Sequence, residues 1–98
     1  MAEEGSVEEI ISKMDALFLI QWLVGALANR AWQSLGFLVD PATKELRVDL
    51  EDAQTAIDGV AALLPILEKK LEASQMSRLR GMLADLRVNY VQKKGATP

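Results

Sequence analysis

Asp40, Glu45, Asp49, Asp52 and Asp58 crowd one stretch of the chain, and clustered carboxylates are what Mg²⁺ or Ca²⁺ asks for, because both ions take oxygen ligands. The spacing of a calcium-binding loop is absent, however. Three of these acids have a structural assignment instead: Asp40 precedes a Pro turn, Asp49 suits a helix cap and Asp58 falls on a helix face. No metal is expected there. The chain has no His and no Cys, which removes the commonest general base, thiolate nucleophiles and the nitrogen and sulfur ligands of zinc. No glycine-rich phosphate loop and no nucleophile elbow occur, so no cofactor and no catalytic residue are expected, and the chain reads as a non-enzyme. The alternative is an enzyme or ligand-binding protein whose pocket forms between subunits, with Asp58, Arg87 and Tyr90 as its polar groups.

The second cluster is basic. Arg78, Arg80, Arg87, Lys93 and Lys94 lie in one segment against Asp85, whereas Glu3, Glu4, Glu8, Glu9 and Asp15 near the N-terminus face only Lys13. Opposite ends of opposite sign would attract each other between subunits, in a salt-sensitive way. A net charge of −3 and a pI near 4.9 oppose a phosphate-tracking surface, and no aromatic residues interleave with the basic ones, so nucleic acid is not the expected partner. The acidic start lacks the positive region of a secretory signal. The apolar run from Ala16 to Ala28 is shorter than the roughly 20 residues a membrane span needs, so a cytoplasmic protein is expected.

These side chains need elements to hold them. Ser6 is placed to cap a helix with Glu8 and Glu9 in its first turns, and the pattern predicts that helix over about 7–35, stopped by Gly36. At 1.5 Å per residue it would be about 43 Å long, against a gyration radius of about 13 Å for a chain of this size. It must therefore bend near Gly25 or extend along another subunit. A second helix is predicted over about 50–71, with Asp49 as N-cap and Asp52 as the reciprocal residue of a capping-box relative. Leu50, Ala53, Ile57, Val60, Leu64, Leu67 and Leu71 alternate at intervals of three and four, and Pro65 within this seam predicts a kink near Ala61 to Pro65 or a break with a new first turn at Pro65, the resumed stripe favouring the kink.

Ser74 is expected to cap a third helix of about 75–92, where Met76, Leu79, Leu83, Leu86 and Tyr90 repeat the seam. The two seams mirror each other about residue 73, as in an antiparallel hairpin, and the same reflection pairs Asp58 with Arg87 as a structural ion pair. Residues 36–49 read as an ordered connection in which Phe37, Val39, Leu46 and Val48 alternate around Pro41, as a short β-hairpin would. The expected fold is all-α and a single domain over 1–98: one long N-terminal helix packed on a C-terminal helical hairpin, with 1–6 and 94–98 frayed.

The first helix is apolar nearly all round. Val7, Ile10, Ile11, Met14, Leu17 and Phe18 follow one face, while Leu19, Ile20, Leu23, Val24, Leu27 and Ala31 widen the coverage beyond what one hairpin can bury. The expectation is a homo-oligomer, in first place a dimer, acting as a structural or protein-interaction module. Trp22, Leu23 and Trp32 are the expected interface residues, Trp being enriched at binding hot spots.

One further pattern bears on kinship. The segments Leu35–Gly36, "DPATKE" from Asp40, "VDLEDA" from Val48, Ile57–Asp58 and "LRVNYV" from Leu86, in this order and spacing between about Phe18 and Val91, resemble the bacterial domain-of-unknown-function family 1844. The resemblance implies a small, mostly helical protein and supplies no activity. That family carries a Lys-Thr-Lys-Gly-Asn-Leu-like turn before its last helix, where this chain has "ILEKKLE" with Lys69, Lys70 and Leu71 in the comparable places.

Overall fold

The computed structural model describes residues 7–96, which form four helices: α1 (Val7–Ser12), α2 (Ala16–Ser34), α3 (Leu50–Glu68) and α4 (Ala73–Ala96). The protein is all-helical, and no strand forms among the described residues. Ser6 lies outside them. The single helix expected over 7–35 is two helices, and Asp15 is the reason. Lys13 and Met14 leave α1 through tight backbone bonds to Ile10 and Ile11, and the Asp15 carboxylate accepts the Phe18 N–H at 2.8 Å as the N-cap of α2. Asp favours a cap over a helix interior because its short side chain satisfies a backbone donor that has no partner in the helix. Gly25 does not interrupt α2, which runs through it with the buried Val24 and Ala28 on either side. A single interior Gly costs only about 1 kcal/mol relative to Ala.

α2 ends where Gly36 takes φ +86°, a conformation that costs Gly nothing sterically. The Gly36 N–H reaches the Gln33 carbonyl at 3.0 Å and the Phe37 N–H reaches the Trp32 carbonyl at 2.9 Å, which is the paired bonding of a Schellman cap. α3 starts as expected from Asp49, whose carboxylate accepts the Asp52 N–H at 3.1 Å. It continues past Pro65 and stops at Glu68, three residues before the expected Leu71. α4 is longer than the expected 75–92 and its cap is Glu72, not Ser74. The Glu72 carbonyl accepts from Met76, and the Gln75 side chain reaches back to the Glu72 N–H at 3.2 Å, one half of a capping box. α4 continues past Lys94 to Ala96; 1–6 and 97–98 lie outside the described residues.

α2 packs along α3, and α3 along α4, while α2 and α4 touch little. The core is the seam of the sequence: Ala53, Ile57, Val60, Leu64 and Leu67 of α3 against Val24, Ala28, Ala31 and Leu35 on one side and Met76, Leu83 and Leu86 on the other. Side chains on the two walls of each contact fix directions. Gln21 and Val24 share a hollow with Leu67 and Leu71, whereas Arg30 and Ser34 meet Asp52, so α2 and α3 run in opposite directions. α3 and α4 are likewise opposed, with Glu68 paired to Arg80 near the turn and Ala61 level with Arg87 further from it. α2 and α4 therefore point the same way.

Candidate interaction surfaces

Three features of the surface rise above ordinary solvent-facing helix. The first is a polar junction where α2 ends and α3 begins. Arg30 and Ser34 are one turn apart on α2, so both side chains leave the same face. The Asp52 Oδ2 atom accepts from the Arg30 Nε at 2.7 Å and from the Ser34 Oγ at 2.6 Å. Ser34 is buried, and its carbonyl takes the Asp49 N–H at 2.7 Å, so the last turn of one helix is tied to the cap of the next. The Ser34 hydroxyl and then Arg30 hold the Asp52 carboxyl below its usual range, while Asp52 raises the Arg30 guanidinium. A notch of about 40 Å³ beside it is lined by Arg30, Gln33, Ser34, Asp40, Arg47 and Asp49. Its charges are balanced and its volume suits solvent, not an organic ligand.

The second feature is the connection itself, residues 36–49. Asp40 folds its tip twice over: its carboxylate accepts the Ala42 N–H at 2.8 Å, and its carbonyl accepts from Lys44, which takes φ 62°. The β-hairpin expected here reduces to two isolated antiparallel bridges, Leu35 to Val48 and Asp40 to Glu45. The residues between them do not continue the ladder, because the pair sums differ by two and the register therefore slips between the bridges. Phe37 is held from both sides, its ring edge-on to Trp32 at 5.5 Å and under the Lys93 ammonium at 4.8 Å. Leu38, Val39 and Leu46 remain exposed.

The third feature is the outer side of α2. Phe18, Trp22 and Leu23 are exposed there, with Gly25 and Ala26 further along, while Val24, Ala28 and Ala31 fill the core on the other side. At about 100° per residue, Trp22 and Val24 point in nearly opposite directions. Of the expected interface residues, Trp22 and Leu23 thus lie on open surface. Trp32 packs partly buried on the core, where it supplies the apolar contact of the Gly36 cap.

The expected ion pair between Asp58 and Arg87 is not formed. Asp58 accepts instead from Gln54 at 2.7 Å, one turn earlier on its own helix. The reason is register: Glu68–Arg80 and Ala61 beside Arg87 place the reflection of this face one helical turn away from the one that would join Asp58 to Arg87. Asp58, Arg87 and Tyr90 do not converge on a pocket either, since Tyr90 packs partly buried on the core and Arg87 faces a groove lined by Leu64, Pro65 and Leu83. Reading by residue type missed the Arg30–Ser34–Asp52 junction. Its signal was a Ser in the apolar row of α2, beside Ala31 and Leu35, where a buried hydroxyl demands an acceptor.

The family model of a domain of unknown function, DUF1844, matches residues 17–92, and the chain belongs to that family. The matched span takes in α2, the connection, α3 and most of α4, and leaves α1 outside. No curated protein and no solved structure gives a match. Among the described residues, no helix is long and apolar enough to cross a membrane.

Proposed function

We propose that this chain is a homodimeric, non-catalytic interaction module of the cytoplasm, paired through the outer side of α2. The observation that carries the reading is the placement of Phe18 and Trp22, each 53% exposed on the side of α2 that faces away from the core. Aromatic side chains present about 150–250 Å² each, so these two leave on the order of 200 Å² of apolar surface in water. Leu23 extends the patch toward the size of the largest apolar patch a monomer keeps exposed, and such patches are often functional. A self-complementary partner is also available. A Cβ built on Gly25 would meet nothing within 4 Å, so in an antiparallel α2–α2 pair the indole of one copy can lie across Gly25 of the other. A two-fold pairing of this kind uses the same patch on both copies and closes on itself. The cytoplasmic assignment rests on the cysteine-free composition.

Sedimentation equilibrium tests the reading. The protein should sediment at twice its 10.8 kDa chain mass at micromolar concentration, and Trp22→Ser should sediment as a monomer. Because Trp22 stands outside the core, the variant should keep its helical circular dichroism. A wild-type chain that stays monomeric at micromolar concentration overturns the dimer.

A further inference from the structure

α2 and α4 point the same way yet touch little, and the gap between them differs at its two ends. At one end Phe37 fills it, with its ring edge-on to Trp32 of α2 and under the Lys93 ammonium of α4. At the other end the gap stays open as a hollow of about 270 Å³, floored by the buried Val24 and Leu67 and walled by the half-buried Leu71 and Leu79. Gln21 edges this hollow and precedes Trp32 by 11 residues, close to three turns, so the two lie on one side of α2. Arg78 edges it from α4 and precedes Lys93 by 15 residues, about four turns. The open end therefore repeats the apolar walls and the cation of the closed end, and lacks the ring between them.

The polar groups at its edge are donors. Gln75 spends its side-chain carbonyl on the Glu72 N–H at 3.2 Å, which leaves its NH₂ group to donate. Arg78 makes no ion pair among the described residues, and no carboxylate lines the hollow. Its neighbours one turn away, Ser74, Gln75, Gly81 and Met82, supply none either. A planar guanidinium beside an amide donor matches a carboxylate, which accepts two parallel hydrogen bonds. At roughly 30 Å³ for each water-sized group, the hollow holds about nine heavy atoms. We propose that it binds a small carboxylic acid with an apolar body, the tail on Val24, Leu67, Leu71 and Leu79 and the carboxylate on Arg78 and the Gln75 amide. The hollow lies within one protomer, so the proposal goes beyond the dimer reading and stands without it.

Sodium hexanoate and the neutral 1-hexanol are the probes, titrated to about 50 mM at fixed ionic strength into the ¹⁵N-labelled chain, with dissociation constants of the order of 1–10 mM expected for ligands this small. Hexanoate should shift the amide signals of Leu67, Leu71, Gln75, Arg78 and Leu79 and the side-chain amides of Gln21 and Gln75. Arg78 is exposed, so Arg78→Gln should keep the fold. That variant should bind hexanoate at least about fivefold more weakly and hexanol less than about twofold more weakly, because only the acid uses the charge. Gln21→Phe, which supplies a ring at the open end, should abolish the binding of both. Absence of saturable shifts at these residues overturns the site, as do hexanoate shifts centred on Phe18 and Trp22 of the outer surface. Equal weakening of both probes by Arg78→Gln overturns the carboxylate assignment. A Gln21→Phe chain that still binds hexanoate overturns its placement in the hollow.

Discussion

Replacing Asp52 should cost more than its position on the surface suggests, and the cost should depend on pH. The carboxylate takes two donors on one oxygen, and they are unequal. The Arg30 side chain is 52% exposed and that of Asp52 is 37% exposed, so the ion pair is screened and contributes about 0.2–1 kcal/mol. The Ser34 hydroxyl is buried, and a hydrogen bond from a buried donor to a charged acceptor is worth about 1.5–3 kcal/mol. Asp52→Ala should therefore destabilise the fold by about 2–3 kcal/mol, and Asp52→Asn, which keeps a neutral acceptor, by about 1 kcal/mol. For a domain near 100 residues, 1 kcal/mol moves the melting temperature by about 4–8 °C.

The folded carboxyl titrates below its unfolded value of about 3.9, first because of Ser34 and then Arg30. Between those two values the unfolded chain binds the extra proton, so stability falls as pH falls. The wild-type advantage over Asp52→Asn should be full above about pH 5 and shrink below about pH 4, as urea unfolding at fixed ionic strength would measure. A Ser34→Ala/Asp52→Asn double-mutant cycle should show coupling of the order of 1 kcal/mol at pH 7. Equal stabilities of wild type and Asp52→Ala at pH 7, or an advantage that persists unchanged to pH 2, would refute the assignment.

Two glycines give contrasting expectations. Gly36→Ala should destabilise by at least about 1–2 kcal/mol in thermal unfolding, because φ +86° disfavours a Cβ and that Cβ would stand 2.9 Å from the Val48 Cγ2. Gly25→Ala should do the opposite. With open space around the new methyl, the helix gains about 0.8–1 kcal/mol, seen as a higher melting temperature when dilution has removed any dimer.

The parts of the fold written in single residues with one available role were legible in the sequence. Gly36 stops α2, Asp49 starts α3, and the three-four spacing picks out Ala53, Ile57, Val60, Leu64 and Leu67, all of them buried. What could not be read is where two residues compete for one role or one residue has two. The first helix was expected to bend near Gly25 or to extend along another subunit, yet it breaks at Asp15, because a cap gains a hydrogen bond while Gly merely tolerates a bend. Asp52 read as half of a capping box, and its backbone does take the Asp49 bond, yet its carboxylate turns to Ser34 and Arg30 on another helix. No local pattern announces that. Asp58 and Arg87 failed for a third reason: a reflection inferred from seam residues is good to about one turn, and an ion pair requires better than one turn.

The distribution of side-chain size gives the dimer reading its physical basis. Where α2 meets α3, four of the buried residues are Ala28, Ala31, Ala53 and Ala56, and no aromatic ring is fully buried in the core. Small side chains let two helix axes approach to about 8 Å, but they also leave few apolar atoms to take out of water. The large apolar groups that a monomer of this size would put inside, Phe18, Trp22 and Phe37, are instead half exposed. Phe37 has Trp32 and Lys93 to cover its ring, and its exposure is explained within one chain. Phe18 and Trp22 have no such cover among the described residues. A chain that places Phe18 and Trp22 on the outer side of α2, and lines the inner side largely with alanine, is on the proposed dimer reading arranged so that this surface becomes interior when a second copy arrives.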